Sequence, residues 1–540
     1  MNLLTKKTSL FLLILIGFTS VYAQEKADES KKLTKAEGVQ KLDALLTLIN
    51  YAYVDKVNNT EMVDGAIINI LEDLDPHSVY IKEKDLRKMN EPLEGNFEGI
   101  GIQFNILKDT LTVISPISGG PSEKLGIMAG DKIVKIEGEN VAGVGLTNRD
   151  VQDKLRGKKG TVVNVSIKRR GNKKLLEYEI VRDKIPIYSI DASYMAKPDV
   201  GYIKVNRFAK TTMKEFSQAL DTLKEKGAEN LILDLRGNGG GYLQTAFNLA
   251  DEFLEKDKMI VYTEGLRQSR EEYKATSSGS FEKGSLIVLI DEGSASASEI
   301  VSGAVQDWDR GIIIGRRSFG KGLVQKSFQL PDGSGLRLTT ARYYTPTGRS
   351  IQRPYEDGKK EYYQELNRRF EHGEMMVVDS IDFPDSLKYY TPNNRVVYGG
   401  GGIMPDIFIP LDTSANTELN KNLIRRGVYN EFILNYLDKN RRDYLKKYPN
   451  FQVFKENYKL DEEFIKDFFD FAAKKKVEKN EQEYNKSKEL IHTQLKALMA
   501  RNLYSTSAYF EIINTLNDSY LKALKILEGK DFEKAYLENN

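Results

Sequence analysis

Three serines at alternate positions, Ser294, Ser296 and Ser298, stand in the run "IDEGSASASEI" between an apolar stretch and the start of a helical pattern. A serine at such a junction sits where helix N-terminal amides point toward a developing oxyanion. With Glu299 close behind, any of the three can equally cap the helix or pack beneath it, and the residues alone do not choose among them. A nucleophilic serine also needs a base. The chain has only three histidines, His77, His372 and His492, and none falls in a strand-end loop of the region that alternates strand and helix. His77, in "LEDLDPHSVYI", is expected to be a loop residue bonded to nearby backbone. Cysteine is absent and there is no HExxH, so neither thiol chemistry nor zinc hydrolysis is expected, and no metal or cofactor is expected.

A different base is available in "GRRSFGKGLVQ", residues 315 to 325, where Lys321 lies between two glycines. A lysine acts as a base only when neutral, so its pKa must fall from about 10.4 towards 7 or 8, at a cost of about 4 kcal/mol. Burial does this, and Arg316 and Arg317 add like-charge pressure if they turn inward. A further stretch, "LDLRGNGGGY" from Leu233, leaves a strand through a glycine-rich loop and enters a helix. It lacks the GK[ST] ending and the GxGxxG spacing of nucleotide loops, while its exposed amides suit an oxyanion hole.

These segments need a scaffold. The apolar runs "VGYIKV", "NLILDL", "SLIVLI" and "GIIIG" read as buried strands, and Met213, Phe216, Leu220 and Leu223 form a helical stripe that Gly227 ends. Such alternation implies an α/β layer. Before it, Leu93 to Val181 is a β-rich module with short helical stretches at "PSEKLGI" and "TNRDVQDKLRG". Still earlier, Leu42, Leu45, Leu46 and Ile49 are spaced for one buried helix face. Beyond Asp412 the chain is charged and helical, with Leu490, Ile491, Leu495, Leu498 and Met499 marking an amphipathic helix, and a solvated appendage is the default expectation. "YYTPTGR" at Tyr343 and "YYTPNNR" at Tyr389 flank a polar insertion, two copies being too few for a repeat architecture.

At 540 residues, 40% apolar and 29% charged, the chain is long enough for several cores. Eighty basic and 78 acidic residues leave a formal charge of +2, so no overall field draws it to nucleic acid or membranes. The N-terminus pairs Lys6 and Lys7 with an apolar run from Leu10 to Val21 and small-residue cleavage site, an export signal expected to be cut after Ala23. No membrane span is expected thereafter, and without cysteine there are no disulfides.

Taken together and in order, "DLRGNGGG", "GSASASEI", "FGKGLVQ" and "ARYYTPTGRSIQ", behind a β-module of this kind, resemble the carboxyl-terminal processing proteases across roughly residues 40 to 410. The resemblance implies a multidomain α/β fold: a crotonase-like (ClpP/crotonase superfamily) protease core, an inserted PDZ domain, and helical N- and C-terminal regions. The implied boundaries are a signal peptide at 1–23, a helical region at 24–92, the PDZ-like domain at 93–183, the core at 184–412 with an insertion at about 354–388, and the helical region at 413–540. It also implies a serine endopeptidase with a Ser-Lys dyad, usually completed by a glutamine, working through an acyl-enzyme. The family's nucleophile is the middle serine of S-A-S-A-S, which maps to Ser296, with Lys321 as base and Gln325 as its partner. The oxyanion hole maps to the backbone amides of Ala297 and Gly240. In the PDZ-like module, Gly99, Ile100, Gly101 and Ile102 of "GIGIQF" map to the loop and strand that receive a substrate C-terminus.

The implied partners are unfolded or C-terminally exposed proteins of the cell envelope, with the periplasm as location. Many relatives carry an acid where this chain has Arg316. An adaptor or a homo-oligomer is not specified by the sequence. Two rivals remain: a catalytically silent PDZ scaffold of the envelope, and acyl-thioester chemistry on a crotonase-like core, for which no coenzyme A pocket is readable.

Overall fold

The computed structural model describes residues 33–381 and 384–529, so the expected leader and its cleavage site after Ala23 lie outside the described residues. The chain divides into two compact units at Ile70/Leu71. In the first, helix Lys35–Ala52 opens on a capping box, Thr34 N donating to Glu37 Oε2 at 2.8 Å and Glu37 N to Thr34 Oγ1 at 3.3 Å. The expected buried face is not buried: Leu42 and Leu45 are exposed, Leu46 and Ile49 half-buried, and the helix contains no buried residue. An amphipathic pattern marks a face suited to burial, and among the described residues no element covers this one fully.

In the second unit the four apolar runs become adjacent parallel strands. The six-stranded sheet runs Ile190–Lys197, Val200–Val205, Asn230–Asp234, Leu286–Ile290, Ile312–Gly315 and Ile407–Phe408, with only the first pair antiparallel. The runs are continuously apolar because both faces are covered. On one face Leu231, Leu233, Val288 and Ile313 pack against helices Thr212–Glu225, Leu243–Asp251 and Ala297–Asp307 through Phe216, Leu220, Ala246 and Val301. On the other, Tyr202, Ile232, Ile287 and Ile314 meet Tyr520, Ala523 and Ile526 of the far C-terminal helix Asp518–Glu528.

That second face overturns the expectation of a solvated C-terminal appendage. Helices Glu418–Arg425 to Glu481–Leu503 enclose their own core around Phe432, Phe454 and Phe468, with Ile491, Leu495, Leu498 and Met499 buried in it. The chain then returns to roof the six-stranded sheet, where Asn514 Nδ2 donates to Tyr194 OH at 2.9 Å. Charge on the outer faces of these helices masked apolar stripes that pack inward.

A second sheet carries the chain beyond the lysine. Among the described residues, strand Leu323–Gln329 pairs only with Gly335–Tyr344, which also pairs with Val79–Ile81 and Met259–Gly265. The β-rich module is a separate sheet of Ile102–Ile106, Leu111–Pro116, Lys132–Ile136, Val162–Lys168 and Leu176–Val181, with helices Pro121–Lys124 and Asn148–Leu155 where helical stretches were expected. The two "TP" copies are equivalent turns, Thr345 N donating to Arg349 O and Thr391 N to Arg395 O. Their buried arginines converge on the C-terminal end of helix Ala297–Asp307: Arg349 on Gln306 Oε1 (2.6 Å) and Asp307 (2.7 Å), Arg395 on Gln306 O (2.9 Å) and Asp309 (2.7 Å). Cations there also oppose the helix's negative pole.

Candidate active site

The glycine loop is fixed from below. Asp234 is buried at the end of its strand and accepts from Tyr202 OH at 2.6 Å and Arg236 at 2.6 and 2.9 Å; burial pushes its carboxyl up, but Arg236 and Lys204 outweigh this and hold it well below the usual range. Asn238 then ties the loop to Val205 O and accepts from Gly240 N at 2.9 Å. A β-carbon on Gly241 would meet Phe208 O at 2.1 Å, and one on Gly240, whose φ is +98°, would meet Ala295 O and Ser296 Cβ at 2.9 Å. Only glycine lets the loop lie this close to the serine segment.

The three serines separate cleanly. Ser294 and Ser298 are fully buried, and their hydroxyls donate to Leu235 O (2.9 Å) and Asn238 O (2.8 Å) of the glycine loop. They staple two loops together and do not cap the helix. Ser296 alone borders the cavity, with φ +56° and ψ −111°, a conformation that costs a non-glycine residue about 1–3 kcal/mol. Its backbone N–H is covered by the Glu299 carboxylate at 2.7 Å.

Glu299 is the junction of the site. Fully buried, it accepts from Ser296 N (2.7 Å) and Lys321 N (2.9 Å) on Oε2, and from Ser318 Oγ (2.5 Å) and Gly320 N (2.7 Å) on Oε1. Burial pushes its carboxyl up, against the pull of those four donors. Tyr343 OH adds a second tie, donating to Lys321 O while lying 3.2 Å from Ser296 O.

Lys321 Nζ donates to Gln325 Oε1 at 3.1 Å, and Gln325 Nε2 donates to the carbonyl of His77. Ser296, Lys321 and Gln325 border one cavity of about 980 Å³, together with Gly239, Gly240, Gly241 and Tyr343. Burial, then the charge of Arg337, lowers the lysine pKa, with Glu299 and Asp75 acting the other way. The expected pressure from Arg316 and Arg317 is not the source: Arg316 is paired with Glu292 at 2.7 Å and Arg317 with Glu374 at 2.6 Å.

Of the two amides mapped to an oxyanion hole, Ala297 N–H makes no hydrogen bond among the described residues, whereas Gly240 N–H is engaged by Asn238 Oδ1. Among the described residues, the loop amides without a hydrogen bond are those of Gly239 and Gly241. The four residues mapped in the β-rich module lie away from this cavity. Gly99 ends a strand paired with Asp183–Pro186, Ile100 O accepts from Ser122 Oγ at 2.6 Å, and Gly101 turns at φ +75°. From Ile102 the chain forms a strand at one edge of that sheet.

Sequence reasoning missed the residues behind the lysine. Asp75 is buried and accepts from His77 N (2.8 Å), Ser78 Oγ (2.5 Å) and Thr339 Oγ1 (3.0 Å), seating the turn "DPHS" beside Gln325. The His77 ring does not bond nearby backbone as expected: its Nε2 is 2.9 Å from Tyr362 OH. The Asp-x-x-Ser turn pattern was the one available signal. His492 bonds Tyr484 in the C-terminal core, and no cluster of metal-binding side chains occurs among the described residues.

The peptidase family S41 profile matches residues 199–357, the PDZ domain residues 99–180, the "activating protease CtpB N-terminal domain" residues 17–85, and a family of unknown function residues 419–505. A carboxy-terminal-processing protease of Bartonella bacilliformis is 39% identical over 305 residues, 56% of this chain and 69% of that protein. Carboxy-terminal processing protease CtpA of Bacillus subtilis is 34% identical over 342 residues, 63% of this chain and 71% of its own length. The chain belongs to the carboxy-terminal processing protease family. Another member, CtpB of B. subtilis, is 35% identical over 59% of this chain and 66% of its own. A solved photosystem II D1 C-terminal processing protease is 30% identical, covering 57% of this chain and 83% of its own, with a TM-score of 0.34. The S41 match takes in the glycine loop, the serine segment and the lysine loop, and ends before helix Lys359–Glu371.

Proposed function

We propose that this member of the family is a serine endopeptidase in which Ser296 attacks a peptide carbonyl, Lys321 takes the hydroxyl proton, and Gln325 orients the amine. The observation that carries the reading is the meeting of Ser296, a half-buried Lys321 whose pKa is lowered, and Gln325 at one cavity. The proton on Lys321 passes to the leaving amine as the carbonyl–nitrogen bond breaks, leaving an acyl-enzyme. Water, activated by the same lysine, then releases the acid and restores Ser296. The amide of Ala297, with Gly239 or Gly241 opposite, receives the oxyanion. In the resting site Lys321 bonds Gln325, so substrate must draw the amine onto the serine hydroxyl, as apo sites often require.

Substrate C-termini dock on the PDZ domain at Gly99 to Gly101 and extend along the edge strand from Ile102 by strand addition. The substrates are unfolded or C-terminally exposed proteins outside the cytoplasm, in the periplasm, a reading supported by the Lys6, Lys7 and apolar leader pattern. Among the described residues no helix is long and apolar enough to cross a membrane. The test is cleavage of a denatured protein: Ser296→Ala and Lys321→Ala should each abolish it while the fluorescence of the single tryptophan, Trp308, stays native. Normal turnover by either variant removes the dyad. Comparing envelope-protein C-termini from cells with the parent and the Ser296→Ala form then identifies substrates.

A further inference from the structure

Between Arg353 and Lys388 the chain carries a polar segment that the S41 match does not cover beyond residue 357, and the structure ties that segment to the lysine. Helix Lys359–Glu371 turns Tyr362 inward, where it is buried. Its hydroxyl lies 2.9 Å from His77 Nε2, and its ring meets the imidazole edge to face at 5.1 Å. The other side of the Tyr362 ring is covered by the Arg353 guanidinium at 3.9 Å, which also lies 4.0 Å over Phe319 of the "FGKG" loop. Arg369, on the same helix, donates to Ser318 O (3.0 Å) and Arg317 O (2.9 Å) of that loop.

His77 is where this support meets the reacting groups. Its carbonyl takes the Gln325 Nε2 proton, and Gln325 Oε1 in turn takes a proton of Lys321 Nζ at 3.1 Å. A side-chain amide can present either end to its neighbours. A fixed carbonyl on the nitrogen side leaves only oxygen for the lysine. The peptide that carries the His77 carbonyl is held at its N–H, Ser78 N donating to Asp75 Oδ1 at 2.9 Å, and the His77 ring is held by Tyr362, so the carbonyl direction is set at two points.

We propose that Tyr362 and His77 are positioning residues, through which the insertion helix fixes the Gln325 amide and hence the Lys321 amine along a line of three hydrogen bonds. This rests on the reading of Lys321 as general base. The charged groups that face Lys321 are Arg337, Glu299 and Asp75, and those that face His77 are Lys321, Asp75 and Arg353. Burial and the Lys321 charge hold the His77 imidazole down to about 3, so the ring stays neutral throughout the working range of a lysine base.

The experiment is steady-state cleavage of a reduced, alkylated protein by the full chain from pH 5 to 10. Tyr362→Phe keeps the ring and its stacking while removing the hydroxyl. It should lower kcat about fivefold, one neutral hydrogen bond's worth, with KM unchanged. The acidic limb of the profile should move to lower pH, because an ammonium that loses an acceptor gives up its proton more easily. His77→Leu, which keeps bulk without the ring nitrogen, should do the same, and the double variant should be no worse than the poorer single, since both break one line. An unmoved limb in both singles, or losses that multiply in the double, overturns the proposal. Lys321→Ala separates the two failures: if it is inactive while Tyr362→Phe and His77→Leu match the parent, the base stands and the relay falls. If Lys321→Ala is active, the base reading itself falls.

Discussion

Glu299→Gln exchanges one carboxylate oxygen for an amide nitrogen at the point where the two reacting loops are tied. In the parent, Oε2 accepts from Ser296 N and Lys321 N, and Oε1 from Ser318 Oγ and Gly320 N. The least costly orientation places the new NH2 toward Ser318, whose hydroxyl can turn to accept, and leaves the buried Gly320 N–H facing another donor. One unsatisfied buried donor costs about 1–3 kcal/mol, and three bonds reduced from charge-assisted to neutral cost about 1 kcal/mol each. Part of this returns because glutamine buries no charge, so the expected net loss is about 3 kcal/mol. Trp308, at the far end of the Ser296 helix, reports unfolding of this element specifically. Its urea midpoint should fall by about 1 M at a slope of about 3 kcal/mol/M. With both loops loosened, kcat on a denatured substrate should drop about 100-fold under conditions where Trp308 is still native. A midpoint within about 0.3 M of the parent, together with activity within about threefold, would refute the assignment of Glu299 as the tie.

Two other outcomes follow from the same geometry. Arg337→Met removes a positive charge that disfavours the protonated lysine, so the folded-state pKa of Lys321 rises and the acidic limb of kcat/KM moves to higher pH; a limb that stays or falls contradicts the electrostatic account. Ending the chain after Tyr504 removes Tyr520, Ala523 and Ile526 from the sheet face of Tyr202 and Ile314, a loss of burial on the order of 5 kcal/mol, which should leave the S41 region aggregated or protease-sensitive on expression. A truncated chain with the parent's urea midpoint would show that this roof contributes nothing.

What was legible in the sequence was what local pattern encodes. Runs such as "SLIVLI" announced buried strands because both sheet faces are covered, and the scarcity of histidine pointed to Lys321. The alternating serines looked alike because their difference lies in which carbonyl each hydroxyl meets across the glycine loop, Leu235 O or Asn238 O, and no local pattern reports that. The same holds for His77, whose partner Gln325 is 248 residues away, and for Arg337, which faces Lys321 from the next strand. Charged helices at the C-terminus misled for a different reason. Their outer faces dominate composition, while burial of Ile491 or Ile526 depends on partners a single helix does not name.

The paired "TP" turns tell how the insertion is rooted. Arg349 enters the helix end from the chain before it and Arg395 from the chain after it, and Gly400 N and Gly402 N donate to Ser350 O and Ile351 O. The two roots are thus stitched to each other and to the scaffold, so the excursion between them is a closed loop whose length costs the fold little to change. Its exposed positions, such as Val377 and Val378, are where a change should reach the sheets least. Tyr362 makes that freedom unequal: the segment is a replaceable handle whose grip ends one hydrogen bond from the peptide that holds Gln325, which marks it as the place to attach an engineered switch for this enzyme.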